Sequence, residues 1–159
     1  MAVVGTFHTG ITVSDLDRSL AFYRDLLGFE VLWRRLYEEE YILRLVAVDG
    51  AASIDAALLR VPASDHLVEL LEYRGCEQRD GSARPCDYGS GHFAVLVDDI
   101  RAMIEKLRRA GVGFRGEVPV EIAAGPNKGG LGGYALDPDG FVIELHQQAS
   151  PVERRDAAP

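Results

Sequence analysis

FHTGITVSDLDRSLAFYRDLLGF, residues 7–29, returns later in the chain as a close variant, HFAVLVDDIRAMIEKLRRAGVGF, at residues 92–114. Apolar residues in both stretches recur with the +3 and +4 spacing of one helix face. Ser14 and Asp98 are residue types that cap helix N-termini. Gly28 and Gly111 supply the positive φ angle that ends a helix. The repeat therefore predicts two modules, each beginning with a strand and a capped helix.

Mostly β-strand is predicted after each helix. Alternating and apolar runs, separated by turn residues, mark these segments. The sequence DPDG at 137–140 predicts a tight turn before the last strand, in preference to a calcium loop, whose further ligands are missing. The predicted strands are Glu30–Leu36, Tyr41–Asp49, Ser53–Val61 and Leu67–Tyr73 in the first half, and Gly113–Pro119, Val120–Ala124, Gly132–Asp137 and Val142–Gln147 in the second.

Each half carries one histidine on its first strand and one glutamate on its last. The histidines are His8 and His92, and the glutamates are Glu69 in LVELL and Glu144 in FVIEL. A carboxylate within an apolar strand is costly unless something compensates its charge. Each of the four residues alone is more often an ordinary strand histidine or a salt-bridge partner. Four at matched positions of a duplicated unit favour a metal site.

An N₂O₂ ligand set suits Zn, Ni, Co, Fe or Mn better than calcium, which prefers oxygen ligands only. Four protein ligands leave about two positions of an octahedral ion for water or substrate oxygens. The sequence therefore predicts one divalent metal ion bound by His8, Glu69, His92 and Glu144. The other histidines are interpreted differently: His66 as solvated surface, and His146 as a residue at the mouth of the cavity.

Composition narrows the partners. The chain has 159 residues, with 17 basic and 25 acidic residues and a net charge of −8. This balance disfavours a nucleic-acid or anionic-membrane partner, since phosphate binding needs a basic surface. No stretch approaches the roughly 20 apolar residues of a membrane span. Cys76 and Cys86 match no zinc or redox spacing. Two free thiols in a cytoplasmic protein are expected, and one loop disulfide is the alternative.

The sequence resembles the vicinal oxygen chelate superfamily, which includes glyoxalase I, methylmalonyl-CoA epimerase, extradiol dioxygenases and the fosfomycin and bleomycin resistance proteins. The matching stretches are FHTGITVSDLDRSLAFYRDLLGF, VELLEY, GHFAVLVDDI and DPDGFVIEL. The resemblance implies an α+β fold of two βαβββ modules, about 5–75 and 90–148, whose curled mixed sheet surrounds a metal cavity. One domain is expected over 1–148, with a disordered tail at 149–159.

The resemblance also implies an activity. The family's four metal positions fall on His8, Glu69, His92 and Glu144, a complete set that looks most like bacterial glyoxalase I. It implies a lyase or isomerase that binds vicinal substrate oxygens and moves a proton through an enediolate. Glu144 would be the base and Glu69 its partner carboxylate. A homodimer acting on a small molecule is expected, because homodimers are common in the superfamily.

Two departures concern the thiol cofactor. Bacterial glyoxalases usually carry an arginine where this chain has Thr12, and an asparagine where it has Tyr73. These departures disfavour glutathione dependence and leave the predicted metal chemistry unaffected. The alternatives are an extradiol-type iron dioxygenase, a methylmalonyl-CoA epimerase-like isomerase, and a protein of small-molecule biosynthesis or self-resistance. The glycine-rich stretch 123–133 is interpreted as a hairpin connection, and the sharper hypothesis is a lid carrying Lys128.

Overall fold

Residues 1–81 and 84–149 are described by the structure, a computed structural model. The chain divides between Asp80 and Gly81 into two units, here called module 1 and module 2. Of the predicted tail at 149–159, only Ala149 is described, and it is buried; the remainder lies outside the described residues.

Both modules have the predicted order of a strand, a helix and three strands, which confirms the βαβββ pattern. In module 1 a π-helical segment, Ala21–Leu26, continues the first helix, and a short second helix follows β2. Module 1 comprises β1 (His8–Thr12), α1 (Leu16–Leu20), β2 (Glu30–Tyr37), α2 (Glu40–Val46), β3 (Ser53–Arg60) and β4 (Leu67–Arg74). Module 2 comprises β5 (His92–Leu96), α3 (Ile100–Arg109), β6 (Phe114–Glu121), β7 (Leu131–Leu136) and β8 (Val142–Gln147).

Each module forms one open, mixed, four-stranded sheet. The strand orders are β1-β4-β3-β2 and β5-β8-β7-β6. The first strand of each module pairs in parallel with the last, and the other neighbours are antiparallel. The first and last strands of a module therefore become neighbours although about 50 to 60 residues separate them. This pairing brings the histidine-bearing strand beside the glutamate-bearing strand in both modules.

The helix of each module covers one face of its sheet, and the core lies between them. In module 1, Leu16 and Tyr23 are fully buried above Leu70 of β4. In module 2, Ile100 and Leu107 are fully buried in the same way. The amphipathic spacing noted in the sequence explains this arrangement, since one helix face is apolar. The opposite face of each sheet remains available for the histidines and glutamates.

The last strand of each module also caps the helix N-terminus. The Glu72 carboxylate accepts a hydrogen bond from the Leu16 backbone N–H at 2.8 Å, and the Gln147 side-chain oxygen accepts one from the Ile100 N–H at 2.8 Å. These bonds satisfy one of the N–H groups that every helix start leaves without a partner. The local caps are Asp15 and Asp99, one residue after the predicted Ser14 and Asp98.

The π-helical segment has a simple origin in the sequence. Gly28 follows Leu16 by 12 positions, whereas Gly111 follows Ile100 by only 11. Both glycines have φ of +79° and follow the helix of their module. Module 1 must therefore place one more residue between the same two landmarks. A wider turn takes up that residue, with the Leu27 N–H donating to the Phe22 carbonyl at 3.1 Å.

The predicted strand at Tyr41–Asp49 is wrong, because the segment forms α2 instead. None of the seven residues of α2 is buried, and the helix ends at Ala47, whose φ is 51°. The sequence EYILRLV alternates too weakly to define a strand and contains good helix formers. The segment pairs with none of the four strands of the module's sheet.

Two predicted strands of module 2, Gly113–Pro119 and Val120–Ala124, form the single strand β6. Its register with β7 is interrupted between Arg115 and Val120. Pro119 lies in that interval and has no N–H to donate to the sheet. The DPDG turn is confirmed: the buried Asp137 carboxylate accepts hydrogen bonds from the N–H groups of Asp139 and Phe141.

Candidate metal centre

Each module brings one histidine close to one glutamate on neighbouring parallel strands, with the same two-residue offset in both modules. In module 1, Glu69 lies opposite Gly10 in the parallel pair, and His8 precedes Gly10 by two residues on the same face. The distance from His8 Nε2 to Glu69 Oε2 is 3.2 Å.

Module 2 repeats this arrangement. Glu144 lies opposite Ala94, and His92 precedes Ala94 by two residues. The distance from His92 Nε2 to Glu144 Oε2 is 3.0 Å. The two pairs are therefore equivalent in strand, register and atom, although the intervening loops differ in length. The structure thus brings each predicted histidine to its predicted glutamate.

The donor atoms suit a transition-metal ion. Ligand bonds to Zn²⁺ from histidine nitrogen and carboxylate oxygen are about 2.0–2.2 Å long, which places neighbouring ligand atoms about 3.0–3.4 Å apart at octahedral to tetrahedral angles. Each pair has a separation of this size, which is also that of a hydrogen bond between imidazole and carboxylate. Among residues 1–81 and 84–149, no group of three or more His, Cys, Asp or Glu side chains is gathered as a possible metal site. Each module contributes two of the four predicted ligands.

The pairs lie on the sheet face away from the helix. The side chains of His8 and Glu69 are 29% and 16% exposed, and those of His92 and Glu144 are 43% and 25% exposed. Because these side chains are partly exposed, a metal ion or a substrate can reach them from solvent. Ile11 lies on the opposite face of the sheet and is buried, as period-2 alternation requires.

Two tyrosines accompany Glu69 in module 1. Burial, followed by the negative charge of Glu69, raises the pKa of Tyr37 above its ordinary value of 10.0. The same two causes, with a smaller contribution from Cys76, raise the pKa of Tyr73. Both phenols are therefore neutral at physiological pH and can donate hydrogen bonds near the carboxylate.

Module 2 surrounds its pair differently. The ring of Tyr134 lies beside the imidazole of His92, with 5.4 Å between the ring centroids. His146 Nδ1 lies 3.8 Å from Glu144 Oε1, and its side chain is 13% exposed. His146 thus lies beside the pair on the same face, whereas Leu71 has the equivalent position relative to Glu69 in module 1.

His66 differs from its interpretation as solvated surface. It is half-buried, and its Nε2 lies 3.0 Å from the Thr9 hydroxyl. Its alternation places it on the face opposite Glu69, as the sequence indicated. Within the stretch 123–133, residues 123–130 form the connection between β6 and β7, and residues 131–133 begin β7. The Ile122 N–H donates to the Gly130 carbonyl at 2.9 Å. Among the described residues, Cys76 and Cys86 are free thiols.

Sequence reasoning missed three residues on β2. Trp33, Arg35 and Tyr37 alternate along the strand, and cross-strand register places Trp33 in one row with Leu58 and Glu69. Their period-2 spacing was visible in the sequence. Only the strand order, however, could show that they share a face with the metal-ligand candidates.

The sequence was compared with known proteins. The profile of the Glyoxalase/Bleomycin resistance protein/Dioxygenase superfamily matches residues 5–145. A 2-epi-5-epi-valiolone epimerase from an Actinomyces species is 33% identical over 145 residues, covering 89% of this chain and 78% of the relative. A probable lactoylglutathione lyase from a Synechocystis species is 36% identical over 146 residues, covering 90% of this chain and 95% of the relative.

A solved structure supports the fold independently of sequence. The glyoxalase family protein from Bacillus cereus aligns with a TM-score of 0.81 at 20% identity, covering 94% of this chain and 97% of that chain. Among the described residues, no helix is both long and apolar enough to cross a membrane. The profile match, the relatives and the duplicated modules agree, and the chain belongs to the glyoxalase/bleomycin resistance protein/dioxygenase superfamily, also called the vicinal oxygen chelate superfamily.

Proposed function

We propose that the chain is a metal-dependent lyase or isomerase that moves a proton on a small substrate with two vicinal oxygens. The observation that carries this proposal is the identical His–Glu pair, His8 with Glu69 and His92 with Glu144, at one register position in two modules. Relatives named as a lyase and an epimerase support an enzyme, because both names describe catalysts.

The two pairs are proposed to hold one divalent cation between them, either within one chain or between two copies in a homodimer. Two carboxylates would balance the charge of the ion, and two neutral imidazoles would complete an N₂O₂ set that suits Ni, Co, Zn, Fe or Mn. Such an ion supplies Lewis acidity at a substrate carbonyl, a role worth several kcal/mol of transition-state stabilisation. The two free thiols are consistent with a cytoplasmic enzyme.

Glu144 is the proposed base. The C–H bond next to the substrate carbonyl breaks, the proton passes to the Glu144 carboxylate, and the electron pair moves to the carbonyl oxygen to give an enediolate. The proton then returns to a carbon of the substrate, which completes an isomerisation without an oxidant. Glu69 is the proposed partner carboxylate. Its 16% exposure limits competition from water.

A thiol cofactor is not part of this proposal. Thr12 and Tyr73 occupy the positions that the resemblance associates with glutathione binding, and neither brings a positive charge. The raised pKa of Tyr73 keeps its phenol neutral. A neutral hydroxyl can donate a hydrogen bond to a carboxylate but forms no ion pair with it, so Thr12 lacks the charge that an arginine would bring to glutathione. We therefore place a substrate that binds directly, as an epimerase substrate does, ahead of a thiol adduct.

Metal analysis with histidine variants tests the site. Mass spectrometry of the purified protein should show about one equivalent of divalent metal per four-ligand site. His8→Ala and His92→Ala should each lose most of this metal. His66→Ala is the matched control, because His66 lies on the opposite face and should leave the metal content unchanged. Full occupancy in the double variant of His8 and His92 would contradict the proposed ligand set.

Deuterium exchange tests the reaction. The metal-loaded protein is incubated in D₂O with methylglyoxal and several thiols, and separately with α-hydroxyketones without thiol. Proton NMR should show deuterium entering the carbon next to the carbonyl, without oxygen consumption. Oxygen uptake by anaerobically iron-loaded protein would instead indicate the dioxygenase alternative and overturn the proton-transfer assignment.

A further inference from the structure

Three alternating side chains of β2 extend the metal face of module 1 outward. Antiparallel register places Trp33 opposite Leu58, and Leu58 opposite Glu69. Directly opposed residues share a face of the sheet. Trp33 therefore lies two strand spacings, about 10 Å, from Glu69 on the same face. Arg35 and Tyr37 follow at two-residue intervals and share that face.

These side chains form a shallow concavity of about 430 Å³, lined by Trp33, Arg34, Arg35 and Tyr37. The rings of Trp33 and Tyr37 meet edge to face, with 6.3 Å between their centroids. The Arg35 guanidinium carbon lies 4.6 Å from the centroid of the Tyr37 ring.

The charged groups at the concavity are paired. Arg34, which lines it, forms ion pairs with Asp17 and Asp55. The Arg35 guanidinium donates to the Glu39 carboxylate in an i, i+4 ion pair. An unpaired arginine would favour a phosphate or carboxylate. A paired arginine and glutamate instead offer donors and acceptors with little net charge. Together with two aromatic rings, they match a ligand that has an apolar ring face and a rim of hydroxyl groups.

We propose that this β2 concavity, formed by Trp33, Arg35 and Tyr37, binds the non-reacting part of a neutral, polyhydroxylated six-membered ring. The C–H face of the ring packs on Trp33, and its hydroxyls bond Arg35 and Glu39. The vicinal oxygens of the same molecule reach toward Glu69 across the row through Leu58. This inference rests on the proposed function, since it names the substrate class of that site.

Trp33 is the single tryptophan of the chain, so its fluorescence reports on this concavity alone. Trp33 is 36% exposed, so a bound ligand can displace water from the indole and change its fluorescence. The protein is titrated with myo-inositol and with methyl glucoside, which distinguish a carbocycle from a pyranose ring. Myo-inositol monophosphate and reduced glutathione form the anionic arms. We expect a saturable change in the millimolar range with at least one neutral ring and no tighter binding of either anion.

Arg35→Met keeps the length of the side chain and removes its hydrogen bonds. It should weaken the binding of the neutral ring about tenfold, the loss expected for one net hydrogen bond. Arg60→Met is the matched control, because Arg60 forms a similar exposed ion pair with Glu30 in the same module. A flat titration with both neutral rings, tighter binding of an anion, or equal affinity in Arg35→Met and wild type would overturn the inference.

Titrations with metal-loaded and chelator-treated protein separate this inference from the proposed function. Arg35-dependent ring binding in a protein that takes up no divalent metal on loading would preserve the β2 concavity and refute the metal enzyme. Stoichiometric metal binding without ring binding would support the metal site and refute the ring-binding inference.

Discussion

Glu69 of module 1 lies in one row with Leu58 and Trp33, whereas Glu144 of module 2 lies in one row with Tyr134 and Arg115. Both modules share the same strand order and the same register of the His–Glu pair. The side chains two strands away differ completely. A duplicated sheet can therefore hold equivalent ligand candidates while the residues of its outer strands diverge.

The pairs also differ in exposure and in their neighbours. The Glu144 side chain is 25% exposed against 16% for Glu69, and His146 lies beside Glu144 where module 1 has Leu71. A more open carboxylate with a polar neighbour is better suited to leave an ion and take up a proton than a shielded one. This difference supports the assignment of the base to Glu144 and makes the two glutamates separable by experiment.

The largest predicted effect is on turnover. Glu144→Gln should lower the rate of substrate deuterium exchange by about 10²–10⁴-fold, the usual contribution of a general base. Metal content should fall much less, because an amide oxygen can still serve as a ligand. Glu69→Gln should show a smaller rate loss relative to its metal loss. Exchange rates and metal stoichiometry are measured on the same samples. Equal rates in wild type and Glu144→Gln would remove the proposed base.

An effect of intermediate size is expected on stability, at the residue that lies opposite the helix-capping side chain of module 1. In module 1, Asp55 lies opposite Glu72, while in module 2 Leu131 lies opposite Gln147. The Asp55 carboxylate is buried and accepts bonds from Arg34 and Arg74 at 2.9 Å. Asp55→Asn should lower the free energy of unfolding by about 2 kcal/mol at neutral pH, since it weakens charged hydrogen bonds.

The sign of the pH dependence follows from the same contacts. Hydrogen bonding by Arg34 lowers the pKa of Asp55 below its ordinary 3.8. The stabilisation is therefore complete above the unfolded pKa and is lost as the pH falls through the lower folded pKa. Urea titrations should show the difference between wild type and Asp55→Asn shrinking in acid. Asp25→Asn, in an exposed ion pair, is the control and should change nothing measurable.

The smallest effect concerns the helix caps. Glu72→Ala and Gln147→Ala should each lower the free energy of unfolding by about 1 kcal/mol, the usual cost of a lost N-terminal cap. Glu72→Gln copies module 2 into module 1 and should cost less than Glu72→Ala, because the amide oxygen still accepts from Leu16. Denaturant midpoints measure all three variants. A silent Gln147→Ala would show that Asp99 alone is a sufficient cap.

Part of this structure was predictable from local pattern. Local pattern identified the first strand and helix of each module and both terminating glycines. Of the eight strands predicted to follow the helices, seven overlap an observed strand, because amphipathic period and turn residues act locally. Tyr41–Asp49 was predicted wrongly because nothing local distinguishes a short apolar strand from a short exposed helix. The extra residue before Gly28 was visible in the sequence, but the π-helical turn that absorbs it was not.

The sequence by itself determined that two modules exist and that His8, Glu69, His92 and Glu144 occupy matched places in them. Tertiary structure decided which residues surround those four. Parallel pairing of the first and last strands set the 3.2 Å and 3.0 Å separations, and antiparallel register carried Trp33 into the row of Glu69. The physical reason is that side-chain period is a property of one strand, whereas register depends on hydrogen bonds between strands that are distant along the chain.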